Sequence, residues 1–140
     1  MVRINLINPK NLADQHLIAE YNEILMLLGH LDKFPIIKSQ PKEYCLGKGH
    51  INFFKDKIKY LKERHEIIKK EMKKRGFKIS KTINIKKYPK KYINNWKPKE
   101  KDKEIIKKRL IYKINLKPTY YRYYKIKKNK LFFIKLIEDS

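Results

Sequence analysis

Between Phe54 and Met72 the apolar side chains Phe54, Ile58, Leu61, His65, Ile68 and Met72 recur at steps of three and four. That period puts them on one stripe of an α-helix, with Lys, Arg and Glu on the opposite face, and it leaves little room for a strand. Gly76 is placed to stop this helix. A similar pattern of Leu17, Tyr21, Ile24, Leu25 and Leu28 predicts an earlier helix. Asn11 would be its N-cap, Asp14 would take the third helical position, and Gly29 would end it. A third helix is expected from about Glu100 to Leu116, with Ile106, Leu110 and Ile114 inward and Pro118 terminating it. Pro35, Pro41, Gly47 and Gly49 break the stretch from Leu31 to Lys48 into a loop. Residues 78–99, with Pro89, Pro98, Trp96 and many lysines, read as an ordered but irregular crossing segment, and the basic, apolar tail after Tyr124 as a short strand or extra turn. Period-two alternation is scarce. The expected fold is all-α: a single compact domain of three main helices with long irregular connections.

Charge limits what such a chain can do. Its 37 Lys and Arg outnumber 14 Asp and Glu, a formal net charge of +23. Like charges at that density oppose compaction unless a polyanion screens them, and nucleic acid is the commonest such partner. An anionic membrane surface is a second, and a lysine bias from an AT-rich genome explains Lys in place of Arg but not the excess over acids. The single cysteine, Cys45, excludes an internal disulfide and a multi-cysteine metal site, and agrees with a reducing compartment. No apolar run is long enough to cross a bilayer and the first residues lack the apolar core of a signal peptide, so a soluble intracellular protein is expected. There is no Gly-rich phosphate loop, and His16, His30, His50 and His65 lack metal-ligand spacing. The long loop from Leu31 to Lys48 argues against a helix-turn-helix reader.

Two local patterns carry possible chemistry. His16, Glu20 and Glu23 follow at steps of four and three and share one helix face. Paired acids near a basic surface suit proton transfer, and a merely solvated face reads the same way. Tyr120-Tyr121-Arg122-Tyr123-Tyr124 interleaves aromatics with a cation, which suits stacking on bases and gripping phosphate, or equally an aromatic clamp that packs the tail on the core.

Several blocks together resemble the phage-type pyrimidine-dimer DNA glycosylases, the endonuclease V family. They are Arg3-Ile4-Asn5-Leu6, Leu12-Ala13-Asp14-Gln15-His16-Leu17, Ala19-Glu20-Tyr21 with Glu23, Leu46-Gly47-Lys48-Gly49-His50, Phe53-Phe54 with Asp56-Lys57, Lys74-Arg75-Gly76-Phe77, and Pro118-Thr119 leading into the tyrosine run. They stand in family order over about residues 1 to 125, poorly between Leu31 and Tyr44 and between Ser80 and Lys99. A glycosylase domain over residues 1–125 and a basic extension over 126–140 of unassigned role follow.

The resemblance implies a DNA glycosylase with AP lyase activity that excises cyclobutane pyrimidine dimers. Met1 is expected to be removed, leaving the Val2 α-amine as nucleophile. An α-amine has a pKa of about 7.7–8.0 against about 10.4 for lysine, so a useful fraction is neutral near pH 7. By the same resemblance this amine attacks C1′ of the damaged nucleotide and forms a Schiff base, and Glu23 assists the β-elimination that breaks the strand. Arg3 would hold phosphate beside the nucleophile, with Gln15, His16 and Asn22 in the same pocket. Arg109 and Lys113 match phosphate contacts, and Lys117, Tyr121 and Arg122 are further DNA contacts. The family kinks the duplex and flips out a base opposite the lesion, at a cost of a few kcal/mol. No metal or organic cofactor is implied. The expected partners are UV-damaged duplex DNA and, less specifically, undamaged DNA, with no membrane and a monomeric protein. The family has arginines where this chain has Asn22 and Met26. The remaining readings are therefore a glycosylase for another damaged base and an inactive basic DNA binder of the same fold.

Overall fold

The computed structural model describes residues 3–140, and among these the chain is mainly α-helical. Its helices are α1 (Asp14–Lys33), α2 (His50–Phe54), α3 (Ile58–Lys74), α4 (Glu100–Leu116) and α5 (Lys130–Glu138). A two-stranded antiparallel ribbon pairs β1 (Arg122–Tyr123) with β2 (Ile126–Lys127). α1 packs on α3, and α5 packs along α4. The core is built mostly from the stripes read above: Leu17, Ile24, Ile58, Leu61, Ile68, Ile106 and Ile114 are fully buried.

α1 departs from expectation at both ends. Its N-cap is Ala13, with no side-chain cap. Asn11 instead ends a short 3-10 turn and donates its amide to the Leu136 carbonyl at 2.7 Å. Gly29 does not end the helix. Glycine inside a helix costs about 1 kcal/mol relative to alanine, but continuing for another turn buries Leu31, worth about 2 kcal/mol.

The stripe from Phe54 to Met72 is correct in burial but not continuous. The chain breaks at Lys55–Lys57, between α2 and α3. Two cations hold that break: Lys55 Nζ donates to the Phe34 carbonyl at 2.9 Å, and Lys57 Nζ to the Phe53 carbonyl at 2.7 Å while lying 4.0 Å over the Phe53 ring. The crossing segment docks there through the Lys57–Ile93 bridge, and Trp96 packs edge-on to Phe53 and Phe54. Gly76, at φ +85°, stops α3. The Phe77 N–H reaches the Met72 carbonyl and the Gly76 N–H the Lys73 carbonyl, which satisfies the open helix end.

α4 spans the expected residues, its first turn closed by the Lys99 N–H donating to Asp102. The tail is more ordered than a strand or an extra turn. Tyr124 and Lys125 make the ribbon's turn with φ of 51° and 67°, a left-handed backbone that costs non-glycine residues energy. The Asp14 carboxylate compensates by accepting both turn N–H groups, at 3.1 and 2.7 Å. Asn129 then caps α5 through the Phe132 N–H, and Phe133 and Ile137 are buried.

Candidate active site

A cleft of about 350 Å³ opens between α1, α4 and the first described residues. His16, Ala19 and Glu23 line it from α1, and Ile106, Arg109, Leu110 and Lys113 from α4. Both sets repeat at three- and four-residue steps, so each helix turns one stripe toward the other. Arg3 and Asn5 close one side, and Tyr120 and Tyr121, just past α4, the other.

Among the described residues Glu23 is the only carboxylate lining this cleft. The Arg3 backbone N–H donates to its Oε2 at 2.9 Å. Burial pushes its pKa up to about 7, with the neighbouring Glu20 carboxylate adding to the rise and the Arg3 hydrogen bond opposing it. A carboxyl there exchanges protons near neutral pH, the property general acid–base catalysis needs. His16 is driven the other way. Burial first, then Lys113 and Arg109, lower it to about 4, so the ring is neutral and cannot be the cleft's cation. Its ring lies 4.8 Å from Tyr121, which packs edge-on to Phe133 of α5. The C-terminal helix thus backs the cleft wall.

Of the residues singled out from sequence, Arg3, Gln15, His16, Glu23, Arg109, Lys113 and Tyr121 come together here. Gln15 is already engaged: its amide donates to the Tyr120 carbonyl, and its oxygen accepts the Arg122 N–H, tying the tyrosine run to α1. Asn22 is exposed, with its amide turned back to the Ile18 carbonyl, and is not a lining residue. Lys117, at the end of α4, holds its Nζ 5.0 Å over the Tyr120 ring. Arg122 lines a neighbouring depression with Phe77, Lys125 and Lys127. Val2 lies outside the described residues.

The shared face of His16, Glu20 and Glu23 does not survive folding. Glu20 turns inward, fully buried, and takes a bidentate pair from Arg64 at 2.7 and 2.9 Å. The tyrosine run divides between its two readings. Tyr121 is buried, and Tyr123 and Tyr124 cover the Arg75 guanidinium at 4.6 and 4.9 Å, as a clamp would. Tyr120 is half exposed at the cleft rim, packed edge-on to Tyr121. Sequence reasoning passed over Asn5 and Ala19 as lining residues. Their signal was position, since Asn5 follows Arg3 within one motif and Ala19 stands one turn from both His16 and Glu23.

Among the described residues no three His, Cys, Asp or Glu side chains gather as a metal site, and no helix is long and apolar enough to cross a membrane. The sequence model of one protein family, described as pyrimidine dimer DNA glycosylase, matches residues 1–85. That stretch holds Arg3, Gln15, His16 and Glu23, while Arg109, Lys113 and the tyrosines lie beyond it.

Proposed function

The chain belongs to the pyrimidine dimer DNA glycosylase family, and on that premise we propose that it excises cyclobutane pyrimidine dimers from duplex DNA and then cleaves the strand, acting as a monomer with the Val2 α-amine as nucleophile. The observation that carries this reading is the Arg3 N–H bonded to Glu23, which ties the carboxyl to the residue next to the amine. Removal of Met1 frees that amine. Its lone pair forms a bond to the sugar C1′ as the bond from C1′ to the damaged base breaks, and loss of a proton and ring opening leave an imine. A proton then leaves C2′, the bond from C3′ to the phosphate oxygen breaks, and water releases the enzyme. Glu23, with its pKa near 7, suits both accepting and returning protons in this sequence. Arg3, Arg109 and Lys113 supply the positive charge that holds the flanking phosphates, Tyr121 backs the cleft wall, and Lys117 and Arg122, outside the cleft lining, extend the basic surface.

A second reading keeps the chemistry and changes the lesion. Asn22 and Met26, which stand where the family has arginines, are both exposed on α1 beside Glu23, and Met26 is 58% exposed. The cleft therefore grips phosphate less strongly on that flank.

Borohydride reduction of the imine tests both readings. With an N-terminus verified by mass spectrometry, UV-irradiated duplex is expected to give a damage-dependent covalent adduct that maps to Val2. An adduct only on a duplex with an abasic site would keep the lyase and change the lesion. No adduct on either substrate would reduce the protein to a DNA binder, and an adduct on lysine would move the nucleophile.

A further inference from the structure

Resting on the amine chemistry just proposed, we propose that His50 and Tyr44 are positioning residues: together they clamp the Ile4 backbone and so hold the Arg3 N–H, next in the chain to the proposed nucleophile, against Glu23. Ile4 is fully buried but belongs to no sheet or helix, so its N–H and carbonyl need side-chain partners. The Ile4 N–H donates to His50 Nε2 at 2.9 Å, and the Tyr44 hydroxyl donates to the Ile4 carbonyl at 2.8 Å. The tautomer follows from the partners. Nε2 accepts, so the proton sits on Nδ1, which donates to the Cys45 carbonyl at 2.8 Å. Burial keeps the ring neutral by lowering His50 to about 4, which preserves that acceptor. Both side chains are almost wholly buried and lie outside the cleft lining, so neither can touch the DNA there.

Two successive backbone N–H groups are thereby fixed: that of Arg3 by Glu23 and that of Ile4 by His50. Covalent geometry allows the residue 2 amine no further than one residue length, ~3.8 Å, from the Arg3 nitrogen. With the Ile4 clamp released, the backbone next to Arg3 loses two hydrogen bonds, and more of its alignment falls to Glu23, which also handles protons. Misplacement by about 1 Å costs up to ~100-fold in rate. The motif Leu46-Gly47-Lys48-Gly49-His50 gains a role from this. A Cβ on Gly49 would lie 2.5 Å from Pro41 and 2.9 Å from the Cys45 sulfur, so only glycine lets the loop close tightly enough to aim His50 at Ile4.

The test is single-turnover borohydride trapping on an abasic-site duplex at saturating protein, reading rate constant and amplitude separately. His50→Leu is expected to lower the rate constant about tenfold to a hundredfold, with duplex affinity within about threefold of wild type. His50→Gln, whose Oε1 can accept the Ile4 N–H, is expected to recover most of the rate. Tyr44→Phe keeps the ring and loses only the donor, and should lose about tenfold, which keeps the test open if His50→Leu does not fold. A merely structural role would lower the amplitude, as a smaller active fraction, and leave the rate constant alone; that result overturns the inference. Wild-type protein that forms no adduct at Val2 would instead remove the amine premise, and the positioning role with it.

Discussion

Two charged clusters flank α1, and they are built on opposite rules. At its N-terminus Arg75 is completely enclosed: its guanidinium donates to Asp14, to Glu71 and to the carbonyls of Pro9, Lys10 and Leu12, under the rings of Tyr123 and Tyr124. Asp14 uses its remaining capacity on the ribbon turn, and the Tyr124 hydroxyl donates to Glu71. In the cleft, two turns along the same helix, Arg3, Arg109 and Lys113 share the lining with the carboxylate of Glu23. The first cluster spends every hydrogen bond on its own chain and joins residues 9–14, 71–76 and 123–125 into one unit. The second turns cations and a shifted carboxyl toward a cavity, an arrangement that suits the anionic ligand proposed above. Charge closed upon the chain holds the fold, and charge with a shifted carboxyl turned to a cavity marks the candidate site.

The largest expected effect breaks the cleft side of this comparison. Glu23→Gln should lower strand cleavage by about 10²–10⁴-fold while duplex binding persists, as measured by gel-based cleavage and binding titrations. The same variant should be the more stable protein at high pH. Glu23 has a folded pKa near 7 against 4.5 for the free group, so its contribution is fully present below pH 4.5 and lost as pH rises through 7. The difference corresponds to ~3 kcal/mol, reduced to about 1 kcal/mol by the partial exposure of the group. Denaturant unfolding should show that gain at pH 8 and none at pH 4; equal stability at both would mean the carboxyl is unperturbed.

The other cluster should fail differently. Arg75→Met leaves Asp14 and Glu71 buried without their cation and is expected to cost about 3–5 kcal/mol in denaturant unfolding. The cleavage rate per correctly folded molecule should hold, as active-site titration would reveal. A rate loss without a stability loss would erase the distinction between the clusters. The smallest effect sharpens it: Lys113→Met should weaken binding to damaged and undamaged duplex alike and make the slope of log affinity against log salt shallower by about 0.9. An unchanged salt slope would take Lys113 out of the phosphate contacts.

Much of the architecture was legible because it rests on local rules. α4 follows from its helical period and the proline beyond it, and the end of α3 from a glycine whose left-handed φ closes the helix. The break after Phe54 was not legible, since Lys55, one of the cations that stabilise it, bonds to the carbonyl of Phe34, 21 residues earlier and brought near by folding. The order of the tail was hidden for the same reason: its turn depends on Asp14, 110 residues earlier in the chain. In the site, Glu23, Arg3 and His16 were found through their motifs, whereas Asn5 and the Ile4 clamp have no periodic signature.

The sequence by itself determined the helical class, the basic surface, the principal stripes and the family. Only the tertiary structure separated Glu20 from Glu23. The two are about 60° apart around α1, too little for periodicity to divide. Arg64 on α3 claims the first as a buried partner, and the N-terminal segment brings the Arg3 N–H to the second. A side chain's role on a helix depends on which neighbour packs against it, and that neighbour is supplied by distant parts of the chain.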